Sequence, residues 1–400
     1  MGAAMHLPDV VPSRMRRTLP RARRTLPRAR RTLPRARRTL IGLLVLVTLT
    51  AAGCAQDASR SQDNGGADTS TNDPTVTTDA PVTLTLLAHD SFTPSETIFD
   101  AFTADTGIVV RVVRGGDAGA IVTKAVVSAG NPEGDVLWGV DNTLLSRAVD
   151  ANVFTPYVTV HRDDLDAAGV ALAPDGVVTP VDSGDVCINY DKQWFAERRI
   201  NPPLTLQALA SANYRNLLVA PSPLTSSPGL AFMLASIAEF GDEWTQWWTT
   251  LRDNGVLIVD SWSHAYYSHF TAASDGERPI VVSYATSPPA EVIFADPRPT
   301  EAPTAVAALT CFRQYEFAGI LRGTKHEAAA QKLIDFLVSR QFQEDLPLTQ
   351  FVWPSNRNAT VPQEFLDYSL RPENPLILDP TIIAARRAEW LDTFSDVVLR

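Results

Sequence analysis

Cysteine is scarce in this chain, three residues in 400, and so is methionine, four. Three Cys without a CxxC spacing exclude a disulfide-dense scaffold and a zinc or thioredoxin-type pair. No GxSxG elbow, HExxH helix or GxGxxG turn is present, so the common signatures of serine hydrolases, zinc proteases and dinucleotide enzymes are missing. His264 and His269 stand five apart, off the i,i+4 spacing that puts two ligands on one α-helical face. Long hydrophobic runs are lacking too. The apolar stretch Leu40–Ala52 has 13 residues, too few for a membrane-spanning helix. Lysine is absent from the first 53 residues, which carry 12 Arg and one acid, Asp9.

That basic block repeats RRTLPRA every seven residues up to Leu40. Pro at a fixed heptad position removes a helix donor and clashes with the preceding turn, which excludes a coiled coil. With the apolar run behind it, the block has the form of a long signal-peptide n-region, and Met15 offers an alternative start. The run ends in Ala51-Ala52-Gly53-Cys54, which resembles a bacterial lipobox with Ala51 where Leu is usual. Residues 1–53 then form a lipoprotein signal peptide and Cys54 the lipidated first residue of the mature chain; a plain secretory signal is the alternative. Residues 54–80 hold almost nothing large and apolar, so they read as a disordered tether. Without the leader, 23 basic residues face 44 acidic ones, a net charge near −21. Such a protein is a poor partner for nucleic acid and a better receiver for a cation.

From residue 81 the pattern alternates. Val82–Ala88 is strand-like, and Thr93-Pro94-Ser95-Glu96 forms a capping box that predicts a helix from Pro94, with Ile98, Phe99 and Phe102 on one face and Gly107 ending it. Ile108–Val113, a Gly-rich loop, an Ala/Val-rich helix to about Ala129 and the strand Asp135–Trp138 follow. This order indicates a parallel sheet with covering helices, and Asp141 and Asn142 fall at a strand's carboxyl end, where α/β sheets bind ligands. From Val181 the chain crosses to a second set of elements. These are the strand Leu217–Ala220, the loop Pro221–Gly229, and the helix Leu230–Glu239 with Ser226 and Ser227 at its N-terminus, a spot suited to polar or anionic groups. The strand Ala307–Leu321, a helix from His326 to Phe342 and an Asp379-capped final helix complete the chain.

Between Val259 and Pro289, Trp262, Tyr266, Tyr267 and Tyr284 stand beside Ser263, Thr286 and Ser287. Rings supply stacking area and hydroxyls fix orientation, as in a pocket for a flat, partly polar molecule; core packing is the bland alternative.

Six segments in order, HDSF from His89, DVLWGVDNTLL from Asp135, NYDK from Asn189, TSSPGL from Thr225, SWSHAY from Ser261 and SYATSP from Ser283, resemble the thiamine-binding subunit of bacterial ABC importers. The resemblance covers the chain from Val82 onward. It implies an α/β periplasmic-binding-protein fold of two lobes, each a mostly parallel sheet flanked by helices, with two hinge crossovers: lobe 1 at 81–182 and 288–400, lobe 2 at 183–287. It also implies a non-enzymatic, extracytoplasmic receptor that binds thiamine or its phosphates between the lobes and passes it to an ABC permease, as a monomer tethered to the membrane.

Asp141, Asn142, Ser226, Ser227, Trp262, Tyr284, Ala285, Thr286 and Ser287 are the implied cleft residues. His89 stands where the family often has Tyr, Ala285 and Ser227 where it has Thr. Trp262 or Tyr284 suits a thiazolium or pyrimidine ring. Asp141 offsets the charge or accepts from the amino group, and Ser226 with Ser227 suits the hydroxyl or phosphate end. Phe351 or Trp353 is a further wall or part of the core.

No cofactor or metal site is expected. Another small solute, such as ferric ion or a polyamine, is the alternative within the superfamily, and a secreted enzyme on the same fold lies further off. With Cys54 lipidated, Cys187 and Cys311 are expected to form a disulfide near the hinge, against the alternative of two buried thiols.

Overall fold

In the computed structural model, which describes residues 81–400, short β-rich runs alternate with helices that cover them and line up as a sheet. The leader, the tether and Cys54 lie outside the described residues. The strands are β1 (Thr83–Ala88), β2 (Val109–Arg114), β3 (Val136–Asp141), β4 (Phe154–Thr155), β5 (Thr179–Asp191), β6 (Leu218–Pro221), β7 (Leu257–Val259), β8 (Ile280–Tyr284), β9 (Thr304–Leu321) and β10 (Trp353–Pro354). They form one sheet in the order β2-β1-β3-β9-β5-β8-β6-β7, with β4 on β9 and β10 on β5.

Pairing is parallel within β2-β1-β3 and within β8-β6-β7, and antiparallel along β3-β9-β5-β8. The result is the two-lobed α/β arrangement of periplasmic binding proteins. The two parallel sets are joined into one sheet by β5 and β9. β9 has 18 residues, about 60 Å at 3.3 Å per residue, and so runs through both lobes.

The division at 182/183 falls inside β5, whereas the division at 287/288 falls ahead of β9, whose first half still pairs with β5 at 188–191. Midway, the register between them shifts, with Val186 opposite Phe312 and Ile188 opposite Ala307. There Cys187 and Cys311 are joined by a disulfide, Cα atoms 4.1 Å apart. Ala285 and Leu370 pack on it. Both walls of the cleft therefore hang from a cross-linked pair of strands.

Local signals are realised with two shifts. The first helix spans Ile98–Thr106, not from Pro94: Ser95 donates its backbone N–H to Asp345 at 3.0 Å and its hydroxyl bonds the same carboxylate, so the capping box serves a loop. Gly107 ends that helix at φ 71° as expected. The Asp379-capped helix Pro380–Phe394 touches both lobes: Arg387 donates to Ser146 Oγ at 2.9 Å, while Phe394 meets Trp248 edge-on at 4.8 Å. Among the described residues, no helix is long and apolar enough to cross a membrane.

Candidate functional site

The loops after β1, β2 and β7, the carboxyl end of β8 and the crossing strands converge on a cleft of ≈ 280 Å³. One wall is aromatic. Ser261 caps the short helix Trp262–His264 by accepting from His264 N–H at 3.1 Å, and a π-helical turn, Ala265–His269, follows. Trp262 stacks on Tyr266 at 5.1 Å and 25°, and meets Tyr267 and Tyr284 edge-on at 5.5 and 6.1 Å. Its Nε1 donates to Ser283 Oγ at 2.9 Å, which lies 2.7 Å from Ser287 Oγ. That hydroxyl pair fixes the indole plane. Tyr266 backs it, with its OH donated to Glu291 at 2.8 Å, whereas Tyr267 is exposed at the mouth.

Phe294 and Phe351 form the opposite rim, centroids 5.5 Å apart. Phe351 sits at φ 54°, a conformation costing a bulky side chain about 1–2 kcal/mol. Such strain collects at binding sites.

The other wall is acidic. Glu316 on β9 is the cross-strand partner of Asp141 on β3 and Asp182 on β5, a row of three acids where like charges directly opposite destabilise a sheet. Glu316 accepts from Trp138 Nε1 at 2.7 Å and pairs with His89 Nε2 at 3.3 Å. Burial favours its neutral form, but His89 outweighs that and holds Glu316 below the usual carboxylate range. Burial and Glu316 together push Asp182 well above the usual carboxylate range. Burial disfavours charge on His89, yet Glu316 raises its pKa overall. Gly139, at φ 112°, makes this pairing fit, because a Cβ there would lie 2.7 Å from the His89 ring.

Asp117 joins the walls. It caps the helix Ala118–Val127 through Ala118 N–H at 2.7 Å and accepts the Trp262 N–H at 2.9 Å. Burial raises its pKa, and the Trp262 N–H opposes the rise.

Of the residues expected in the cleft, Ser227, Trp262, Tyr284, Ser287, His89 and Phe351 line it. The others lie behind it. Asp141 is fully buried and holds Thr143 and Gln314, and it is Gln314 that faces the cleft; burial pushes Asp141 up to about 6. Asn142 is tied to the Arg313 carbonyl at 3.3 Å and the Tyr315 N–H at 2.9 Å. Ser226 lines a separate cavity, Ala285 packs on the disulfide and Thr286 is fully buried. Trp353 packs edge-on against Phe365 at 4.9 Å.

Asp117, Asp182, Phe294, Gln314 and Glu316 were not picked out from the sequence. Asp117 does carry a signal, as the one acid in a Gly-rich loop before a helix; Glu316 is the one acid in β9. The His264–His269 spacing also misleads: the π-helical turn brings their Nε2 atoms to 3.2 Å. Among the described residues, no group of three or more His, Cys, Asp or Glu is placed to hold a metal ion.

Rings on one side and carboxylates on the other suit an organic cation. Residues 97–373 match the family described as bacterial extracellular solute-binding protein. The thiamine-binding periplasmic protein of Escherichia coli strain K12 is 28% identical over 325 residues, covering 79% of this chain and 94% of that protein. A solved periplasmic thiamin binding protein superposes with a TM-score of 0.69 at 27% identity, over 80% of this chain and 96% of that one. The ferric binding protein from Campylobacter jejuni shares the fold, with a TM-score of 0.63 at 16% identity, over 78% of this chain and 99% of that one. The chain thus belongs to the bacterial extracellular solute-binding proteins, with its candidate binding site in the cleft between two lobes.

Proposed function

We propose that this protein is a lipid-anchored extracytoplasmic receptor that binds thiamine in the interlobe cleft and delivers it to an ABC importer. The observation that carries the reading is the pairing of the Trp262–Tyr284 wall with Asp117 and Glu316, an arrangement complementary to a flat cation. Trp262 and Tyr284 stack on the rings, and Glu316 with Asp117 supplies the negative field. Gln314, Ser227 and Ser287 offer hydrogen bonds to the amino and hydroxyethyl groups. The thiamine-binding names of the relatives support the same ligand, and their being binding proteins supports a receptor without turnover.

Isothermal titration tests the ligand. Thiamine should saturate one site per chain, and thiamine phosphate run alongside sets the preferred form. Spermidine and ferric citrate should give no saturable heat; saturation by either in place of thiamine would overturn the reading. For the anchor, mass spectrometry of the membrane fraction should find Cys54 acylated at the mature N-terminus.

A further inference from the structure

A second cavity, ≈ 350 Å³, shares no lining residue with the aromatic cleft. Its wall includes Gly119, Arg147, Leu224, Ser226, Arg387 and Asp392, drawn from both lobes and from the C-terminal helix. Neither arginine has a carboxylate within ion-pair distance among the described residues. Arg147 donates to Thr123 Oγ1 at 2.8 Å; Arg387 donates to Ser146 Oγ at 2.9 Å and the Thr143 carbonyl at 3.3 Å. Each guanidinium has five N–H donors, so most of both forks is unused by protein acceptors.

Two half-buried cations facing one space are costly. Burial lowers the Arg387 pKa and Arg147 lowers it further, against Asp141 and Asp150. The one acid on the wall, Asp392, is exposed. Ser226 is 1% exposed at the start of the helix Ser227–Phe240, and its hydroxyl turns to the Asp117 carboxylate rather than into this space. Two guanidinium forks with unused donors facing one cavity have what a tetrahedral oxyanion accepts from.

We propose that this cavity is a second ligand site, for a small oxyanion of the phosphate class held by Arg147 and Arg387. The site does not depend on which solute fills the aromatic cleft.

The mature chain is titrated with inorganic phosphate, and separately with glycerol phosphate, against chloride at matched ionic strength. The readouts are the unfolding midpoint and the phosphorus NMR linewidth. Phosphate should raise the midpoint saturably, as a ligand bound only to the native state must, whereas general salting-out does not saturate. Saturation by phosphate alone assigns the free anion; saturation by both probes extends the site to phosphate monoesters. The Arg147→Gln/Arg387→Gln variant, with unchanged far-UV circular dichroism, should lose about tenfold or more in apparent affinity. If that variant does not fold, Arg387→Gln alone carries the same comparison. No saturable response beyond chloride, or an equal response in the variant, overturns the proposal.

Discussion

The two walls of the cleft are built in opposite ways. Most of the aromatic wall comes from one continuous stretch, 261–287, in which a cap, a π-helical turn and a strand place Trp262, Tyr266, Tyr267 and Tyr284 around one another. The acidic wall is assembled from β1, β5, β9 and the loop before the second helix, and its members lie up to 227 positions apart, from His89 to Glu316. The first wall needs only local geometry, and the second needs the whole sheet in register. Under the proposed function a cation would meet rings on one side and charge on the other, and the Asp117–Trp262 contact joins the two walls here.

The widest break in the comparison is to loosen the strands that carry both walls. Replacing Cys187 and Cys311 with Ser opens a loop of 124 residues. It should lower the unfolding free energy by roughly 4–5 kcal/mol in the chain-entropy model, read from urea midpoints. Equal midpoints for variant and parent would show that strand pairing alone holds the crossing.

A second test separates the walls by pH, since one of them titrates near neutrality. Asp141 is pushed from 3.8 to about 6 in the folded state. Between about pH 4 and 6 the native protein therefore holds more protons than the unfolded chain, and stability falls as pH rises through that window. The fall is on the order of 3 kcal/mol at 1.36 kcal/mol per unit, and Asp182 shifts in the same direction. Asp141→Asn should flatten the slope, while Trp262→Phe should leave it unchanged.

Within the ring wall, Trp262→Ala should weaken thiamine binding by about 1–3 kcal/mol, from lost burial and stacking. Calorimetry on the folded variant checks this, and parent-like affinity would mean that the indole only packs against Tyr266. Smallest is Asp117→Asn, which keeps an acceptor for the Trp262 N–H but removes a charge. It should cost about 1 kcal/mol in thiamine affinity, a loss that shrinks as salt is added.

Much of the frame was readable before any coordinates. The Gly107 stop, the Asp379 cap and the runs that became β1, β2, β6 and β9 are signals within a few residues of the feature they specify. The Cys187–Cys311 pairing was expected from a count of three and from the export leader that the sequence leads one to expect. Where reading failed, a distant partner had taken the group. Asp345 captured Ser95 and delayed the first helix; Gln314 covered Asp141; the disulfide took Ala285 into its packing. A capping box or a carboxylate at a strand end states what a residue can do, and not which neighbour reaches it first.

The sequence by itself determined the alternation of strands and helices, the acidic balance of the exported part and the aromatic wall, because each depends on composition or on contacts between near neighbours. Only the tertiary structure decided that Asp182 and Glu316 face the cleft while Asp141 lies behind it. Asp141, Asp182 and Glu316 become a row through the register of β3, β9 and β5. That register is set by the packing of the entire sheet, and a one-residue slip would turn Glu316 to the opposite face.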